Sequence, residues 1–176
     1  MPDAIIADNG NDNHTGDIID WKEGTLMLKG ILHVGLTVTD LDRSVAFYRD
    51  VLGLAYLGEI EMEGPETEQL FQQKSCKARV AYLNGSRELA APPVELIQFV
   101  GQYPDQQAGD LFRTSISELC FAVEDIDREY RRLQEMGVEF LSEPQTFDST
   151  EYGFGKSRAV YLRDPDGIIL ELLQTL

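Results

Sequence analysis

The sequence predicts an α+β fold in which two tandem βαβββ modules form a curled mixed β-sheet cleft with helices on the outside. One observation is a strand–turn–helix pattern over residues 31–53. A second is the recurrence of that pattern from Glu118 onward. A third is that two later strand segments also recur, in the same order along the chain. Together these observations indicate a duplicated module.

The first element is a strand over residues 31–38, in which apolar side chains alternate with other residues. A helix should follow, because Asp40 stands where an N-cap residue is expected and Gly53 where a helix ends in a left-handed residue. The apolar positions of the strand face this helix. His33 therefore belongs to the opposite face of the strand.

The second copy of this pattern begins at Glu118, where ELCFAVEDID aligns with HVGLTVTDLD. Glu118 takes the position of His33, and Asp125 takes that of Asp40, 85 residues later in each case. The spacing is 79 residues between KARVAYL and KSRAVYL, and 76 residues between ELIQ and ELLQ. Because the spacing changes only across connections, an internal duplication explains these matches better than chance.

The remaining elements follow from alternation and turn residues. In the first module we expect strands over 54–62, 77–84 and 94–100 and a short helix around 66–72. In the second we expect strands over 117–124, 138–142, 156–164 and 168–174 and a helix over 126–136. The predicted organisation is a mobile or loosely docked arm (1–29), the first module (30–100), a linker (101–115) and the second module (116–176).

Composition restricts the function classes. The chain is 43% hydrophobic, which suffices for a core, and no apolar run is long enough to span a bilayer. A formal charge of −16 argues against nucleic acid and anionic membrane surfaces as partners. The two cysteines, Cys76 and Cys120, are too few for a disulfide framework, so we expect a cytoplasmic protein.

Two glutamates lie within predicted strands, each flanked by apolar residues on both sides. These are Glu95 and Glu171, at matching positions of the two modules. Each could face solvent on a half-exposed sheet. If instead the two sheets face each other, both glutamates would converge with His33 and Glu118, and a divalent metal ion would compensate the enclosed charge. We therefore predict His33, Glu95, Glu118 and Glu171 as metal ligands.

The segments HVGLTVTDLDRSVAFYRDVLGL, VELIQF, FAVEDID and RAVYLRDPDGIILELL resemble the vicinal oxygen chelate superfamily, which includes glyoxalase I, the bleomycin-resistance proteins and the extradiol dioxygenases. The likeness covers about residues 31–174 and implies paired βαβββ modules with a metal in the cleft. It carries the ligand positions onto the same four residues. Glu118 departs from the histidine that glyoxalase I-like members usually have there.

The number of histidines separates the chemistries of that superfamily. Ring-cleaving dioxygenases and fosfomycin thiol transferases use two histidines and one carboxylate, whereas this chain has only His33 at a ligand position, and His14 lies in the arm. Lyase, isomerase or epimerase chemistry needs a Lewis acid and a carboxylate base. By analogy with glyoxalase I, that base is Glu171, with Glu95 second. Three carboxylates favour Mn²⁺, Fe²⁺ or Mg²⁺, although Ni²⁺ and Zn²⁺ remain open.

We therefore expect an enzyme, a glyoxalase-like metal-dependent lyase, isomerase or epimerase that binds a small molecule and forms a homodimer. The alternative is a metal-free binding module of the bleomycin-resistance type, and an extradiol dioxygenase is a weaker candidate. The sequence leaves open whether the modules pair within one chain or across the dimer. Candidates for the cleft wall are Tyr48, Arg79, Tyr82, Arg158 and Tyr161.

Overall fold

The computed structural model describes residues 31–85, 93–102 and 107–176, which contain two four-stranded mixed sheets. The first sheet has the order β1-β4-β3-β2. Its strands are β1 (Val34–Thr37), β2 (Ala55–Met62), β3 (Ala78–Asn84) and β4 (Val94–Phe99). The second sheet has the equivalent order β5-β8-β7-β6. Its strands are β5 (Leu119–Ala122), β6 (Gln145–Ser149), β7 (Gly155–Arg163) and β8 (Ile169–Thr175). The predicted fold class is confirmed.

The helices take equivalent places in the two modules. Helix α1 (Leu41–Ala46) continues as a π-helical turn over Phe47–Val51, and α3 (Ile126–Glu135) is its counterpart. Helix α2 (Pro65–Phe71) lies between β2 and β3, and a short 3₁₀ helix over Thr150–Tyr152 lies between β6 and β7. The first helix of each module starts at its predicted cap, since Asp40 accepts the N–H of Arg43 and Asp125 that of Arg128.

Strand register places the glutamates at the same point of each sheet. Strand β1 runs parallel to β4 with Gly35 opposite Glu95, and β5 runs parallel to β8 with Cys120 opposite Glu171. On the other side, antiparallel pairing puts Tyr82 opposite Glu95 and Tyr161 opposite Glu171. The residues that flank Glu95, Val94 and Leu96, are buried in the apolar core. The glutamates therefore occupy the face of each sheet that is turned away from that core.

The third strand of the second module is not where the sequence pattern predicted it. Within 138–142 the ladder is reduced to one bridge between Phe140 and Leu162, and the strand β6 begins only at Gln145. The chain still runs along β7 there, because Leu141 donates its N–H to the carbonyl oxygen of Tyr161. Pro144 follows, and a proline removes a donor from the ladder. The pairing resumes after it.

The two modules contact each other through the turn that precedes β8. Tyr48, fully buried on the π-helical turn, donates a hydrogen bond to Asp164 at 3.0 Å. Asp166 of the same turn accepts hydrogen bonds from side chains of the first module. These are Thr39, Arg43 and Ser44. Residues of both modules share one apolar core cluster, so Ile31–Leu176 forms a single compact unit.

Some predictions fall on parts of the chain outside the described residues. The arm predicted over 1–29 lies there, as does most of the turn between β3 and β4. In the described part of the chain, no helix is long and apolar enough to cross a membrane.

Candidate functional site

The first half of the site is a contact between a histidine and a glutamate. His33 immediately precedes β1, and its Nε2 lies 3.3 Å from Oε2 of Glu95 on the neighbouring strand β4. The histidine side chain is 43% exposed, whereas that of Glu95 is only 12% exposed. The structure thus brings together the two predicted ligands of the first module.

Two further residues border the carboxylate of Glu95. The hydroxyl of Tyr82 hydrogen-bonds to it, and this bond, together with partial burial and the glutamate's charge, raises the pKa of Tyr82 to about 12. Tyr82 therefore remains a neutral donor at physiological pH. On the other side, a Cβ added to Gly35 would lie 3.4 Å from Oε2 of Glu95. Glycine leaves this side of the carboxylate open.

The second half of the site contains Glu118 and Glu171 around Cys120. Partial burial, a hydrogen bond to Glu171 and the charges of both glutamates raise the pKa of the Cys120 thiol to about 12, although the residue as a whole is exposed. Burial and the same two charges also raise the pKa of Tyr161. Because a nucleophilic cysteine needs a low pKa, Cys120 is not suited to nucleophilic catalysis.

The donor atoms of the first half fit a divalent ion. Two bonds of about 2.1 Å at right angles hold neighbouring ligand atoms about 3 Å apart, close to the separation of the His33 nitrogen and the Glu95 oxygen. Imidazole and carboxylate are also suitable donors for Mn²⁺, Fe²⁺ or Zn²⁺. However, in the described ranges of the chain no group of three or more His, Cys, Asp or Glu side chains could hold a metal ion.

Three of the five side chains predicted to line the cleft have structural roles instead. Tyr48 is buried against Asp164. Arg79 forms ion pairs with an aspartate at the start of α1 and a glutamate on β2, and Arg158 pairs with Asp127 on α3. These arginines face the helices because their strand positions lie on the helix side of each sheet. Tyr82 and Tyr161 remain at the site.

Sequence reasoning missed Cys120 as a neighbour of the site. The duplication contains the signal that could have identified it, because Cys120 aligns with Gly35 and both stand two residues after a predicted ligand. Its contact with Glu171 follows from the parallel register of β5 and β8.

Residues 30–172 match the family model described as the glyoxalase/bleomycin resistance protein/dioxygenase superfamily. The chain is 35% identical over 149 residues to a 2-epi-5-epi-valiolone epimerase of an Actinomyces species, covering 80% of this chain and 76% of the epimerase. It is 28% identical over 144 residues to a probable lactoylglutathione lyase of Vibrio cholerae, covering 82% of this chain and 89% of the lyase.

A solved structure is similar to the whole described fold. The crystal structure of a glyoxalase family protein from Bacillus cereus matches with a TM-score of 0.72 at 24% identity, covering 87% of this chain and 98% of that protein. At this identity the likeness concerns the fold alone. It agrees with the two four-stranded sheets described above.

Proposed function

Because the chain belongs to the glyoxalase/bleomycin resistance protein/dioxygenase superfamily, we propose that it is a metal-dependent enzyme that moves a proton next to the carbonyl of a small substrate. The reaction class is that of a glyoxalase I-like lyase, isomerase or epimerase. The observation that carries the proposal is the 3.3 Å contact of His33 and Glu95, at the positions that the duplication matches with Glu118 and Glu171.

In this proposal His33, Glu95, Glu118 and Glu171 hold the ion. When bound, a divalent ion supplies a Lewis acid that withdraws electrons from the substrate carbonyl. Three carboxylates and one imidazole favour Mn²⁺, Fe²⁺ or Mg²⁺ over a soft-ligand zinc site.

Glu171 acts as the base, and Glu95 is the second candidate for that role. The carboxylate of Glu171 takes the proton from the carbon beside the carbonyl, and the electrons of the broken C–H bond move toward the carbonyl oxygen, giving an enediolate. Glu171 then returns the proton to the same carbon or to the neighbouring one. A proton held on Glu171 exchanges with solvent, so the substrate should acquire solvent deuterium.

We propose an α-hydroxyketone as the substrate class, with 2-epi-5-epi-valiolone as the first compound to test. The similarity to the Actinomyces epimerase supports this choice. A glutathione adduct would need cationic anchors for its carboxylates. Two arginines on the strands at the site, Arg79 and Arg158, are instead paired with acidic residues on the helix side, which speaks against lactoylglutathione as the substrate.

We further propose that the chain works as a homodimer, in which Glu118 and Glu171 of a second copy complete the His33 and Glu95 pair. The described part of one chain holds no group of three ligands, which supports this arrangement. The test is to mix two inactive variants, His33→Ala and Glu171→Gln. If each site draws on both copies, half of the dimers in an equal mixture carry one intact site, and about a quarter of wild-type activity returns.

The activity itself is tested by NMR, which follows exchange of the substrate α-proton in deuterium oxide with and without Mn²⁺. We expect exchange that depends on the metal and disappears with EDTA. An oxygen electrode run in parallel with a catechol should show no uptake, because the two-histidine site of the dioxygenases is absent from this sequence. Oxygen uptake would contradict the proposal.

A metal-free binding module of the bleomycin-resistance type is the second candidate. It is favoured by the finding that no three-ligand group occurs among the residues that the structure describes. Metal analysis of the purified protein and a thermal shift with EDTA and Mn²⁺ separate the two candidates. A protein without bound metal, unshifted by Mn²⁺ and silent in both assays, would be the binding module.

A further inference from the structure

We propose that Tyr82 is a positioning residue that fixes the carboxylate of Glu95 as a metal ligand, so that removal of the substrate proton falls to Glu171. This inference rests on the proposed function and assigns unequal roles to the two matching glutamates. It is carried by the surroundings of the two carboxylates.

The carboxylate of Glu95 is held from two directions. Tyr82 stands directly opposite it in the antiparallel pair β3–β4, and the tyrosine hydroxyl reaches its oxygens. His33 approaches Oε2 from the strand on the other side. With only 12% of its side chain exposed, Glu95 has little freedom to turn toward a substrate.

The carboxylate of Glu171 has different neighbours. Cys120 replaces the glycine beside it and offers a thiol, which is a weaker donor than a phenol. Glu118 stands in the place of the histidine and adds a like charge. Tyr161 occupies the position of Tyr82, but Glu171 acts on it through charge. Glu171 is therefore the less restrained of the two carboxylates.

This difference has a chemical consequence. A hydrogen bond to a carboxylate stabilises its charged form and makes it a weaker base. It also fixes the orientation of a ligand, and the loss of such a partner typically costs about 10–100-fold in metal affinity or activity. Tyr82 thus suits a ligand that stays on the metal, whereas the weakly held Glu171 suits a carboxylate that exchanges protons.

The test compares Tyr82→Phe with its repeat counterpart Tyr161→Phe as the matched control. Mn²⁺ binding to the metal-stripped protein is measured by calorimetry. We expect Tyr82→Phe to weaken Mn²⁺ by about 10–100-fold and Tyr161→Phe to change it by less than about threefold. At saturating Mn²⁺, Tyr82→Phe should recover most of the exchange rate, unlike Glu171→Gln. Unchanged Mn²⁺ affinity, or equal weakening in both variants, would overturn the inference.

A second measurement needs neither metal nor substrate. In EDTA, the denaturation midpoints of Tyr82→Phe, Glu95→Gln and the double variant form a double-mutant cycle. We expect the two changes to be non-additive, and the corresponding cycle of Tyr161→Phe and Glu171→Gln to be closer to additive. Additivity at Tyr82 and Glu95 would overturn the inference. Non-additivity in a wild-type protein that binds no Mn²⁺ would instead overturn the proposed function and leave the contact standing.

Discussion

The two modules have the same strand order and register, yet they surround their glutamates differently. In the first module Glu95 lies between a histidine, a tyrosine hydroxyl and a glycine. In the second, Glu171 lies beside a cysteine and a second glutamate. The backbone therefore preserves the positions of the carboxylates, while the neighbouring side chains determine how each one can act.

The largest difference between the modules is expected when each glutamate is neutralised in turn. Glu171→Gln should lower the exchange rate by about 10²–10⁴-fold even with excess Mn²⁺, because it removes the base. Glu95→Gln should mainly weaken Mn²⁺ binding, so that excess metal restores much of the rate. NMR exchange rates over a Mn²⁺ series measure both. Equal loss at saturating metal would show that the two carboxylates have the same role.

Glu118→Gln tests the position at which the modules differ most in donor type. If Glu118 is a ligand, the loss of one negative donor should weaken Mn²⁺ binding by roughly tenfold, or ~1.4 kcal/mol. Calorimetry on the metal-stripped protein gives this value, and Glu124→Gln on the exposed segment after β5 is a control. An unchanged affinity in Glu118→Gln would limit the site to three protein ligands.

A smaller effect is expected where the modules contact each other. Tyr48→Phe removes the buried hydroxyl that donates to Asp164 and should lower the free energy of unfolding by about 1–3 kcal/mol. Urea denaturation measures the change. Tyr130→Phe on α3, whose hydroxyl only accepts a bond from the exposed Gln134, should stay within about 0.5 kcal/mol. If both variants behave alike, the hydroxyl of Tyr48 contributes nothing to module docking.

The pH dependence of stability offers a finer test of the same contact. Burial raises the pKa of Asp164 above its usual 3.8, despite hydrogen bonds that act in the opposite direction. A raised folded-state pKa gives stability that is present below 3.8 and lost as the pH rises through the folded value. Asp164→Asn should therefore gain stability relative to wild type over that rise. A constant difference, measured by urea denaturation at several pH values, would contradict this assignment.

The smallest effect is expected from removal of residues 1–27, because the repeat begins after them. The shortened protein should unfold in one cooperative transition near the wild-type midpoint, as followed by circular dichroism. Insolubility or a broadened transition would show that these residues belong to the core.

Local pattern and duplication together predicted most of the fold. Alternation identified the strands that hold Glu95 and Glu171, and the caps Asp40 and Asp125 marked the helix starts. The pattern failed at 138–142, where apolar residues alternate but Pro144 interrupts the ladder. Propensity describes single segments, whereas the position of β6 depends on its pairing with β7.

The site was predicted in part. The ligand positions followed from the repeat and the family resemblance, and the contact of His33 with Glu95 joins two of them. The contact of Cys120 with Glu171 was not foreseen, because it depends on the register of two strands separated by a helix and two further strands. Likewise, no local pattern indicates that Tyr48 binds Asp164, 116 residues further along the chain.

The turn holding Asp164 and Asp166 makes the order of the two modules irreversible. In a tandem of two second modules, Leu133 would replace Tyr48 and could not donate to Asp164. Glu124 and Glu129 would stand in place of Thr39 and Ser44, so that carboxylates rather than hydroxyls would approach Asp166. The halves of this molecule have therefore diverged into a socket and its insert, and exchanging one for a copy of the other would leave like charges facing each other.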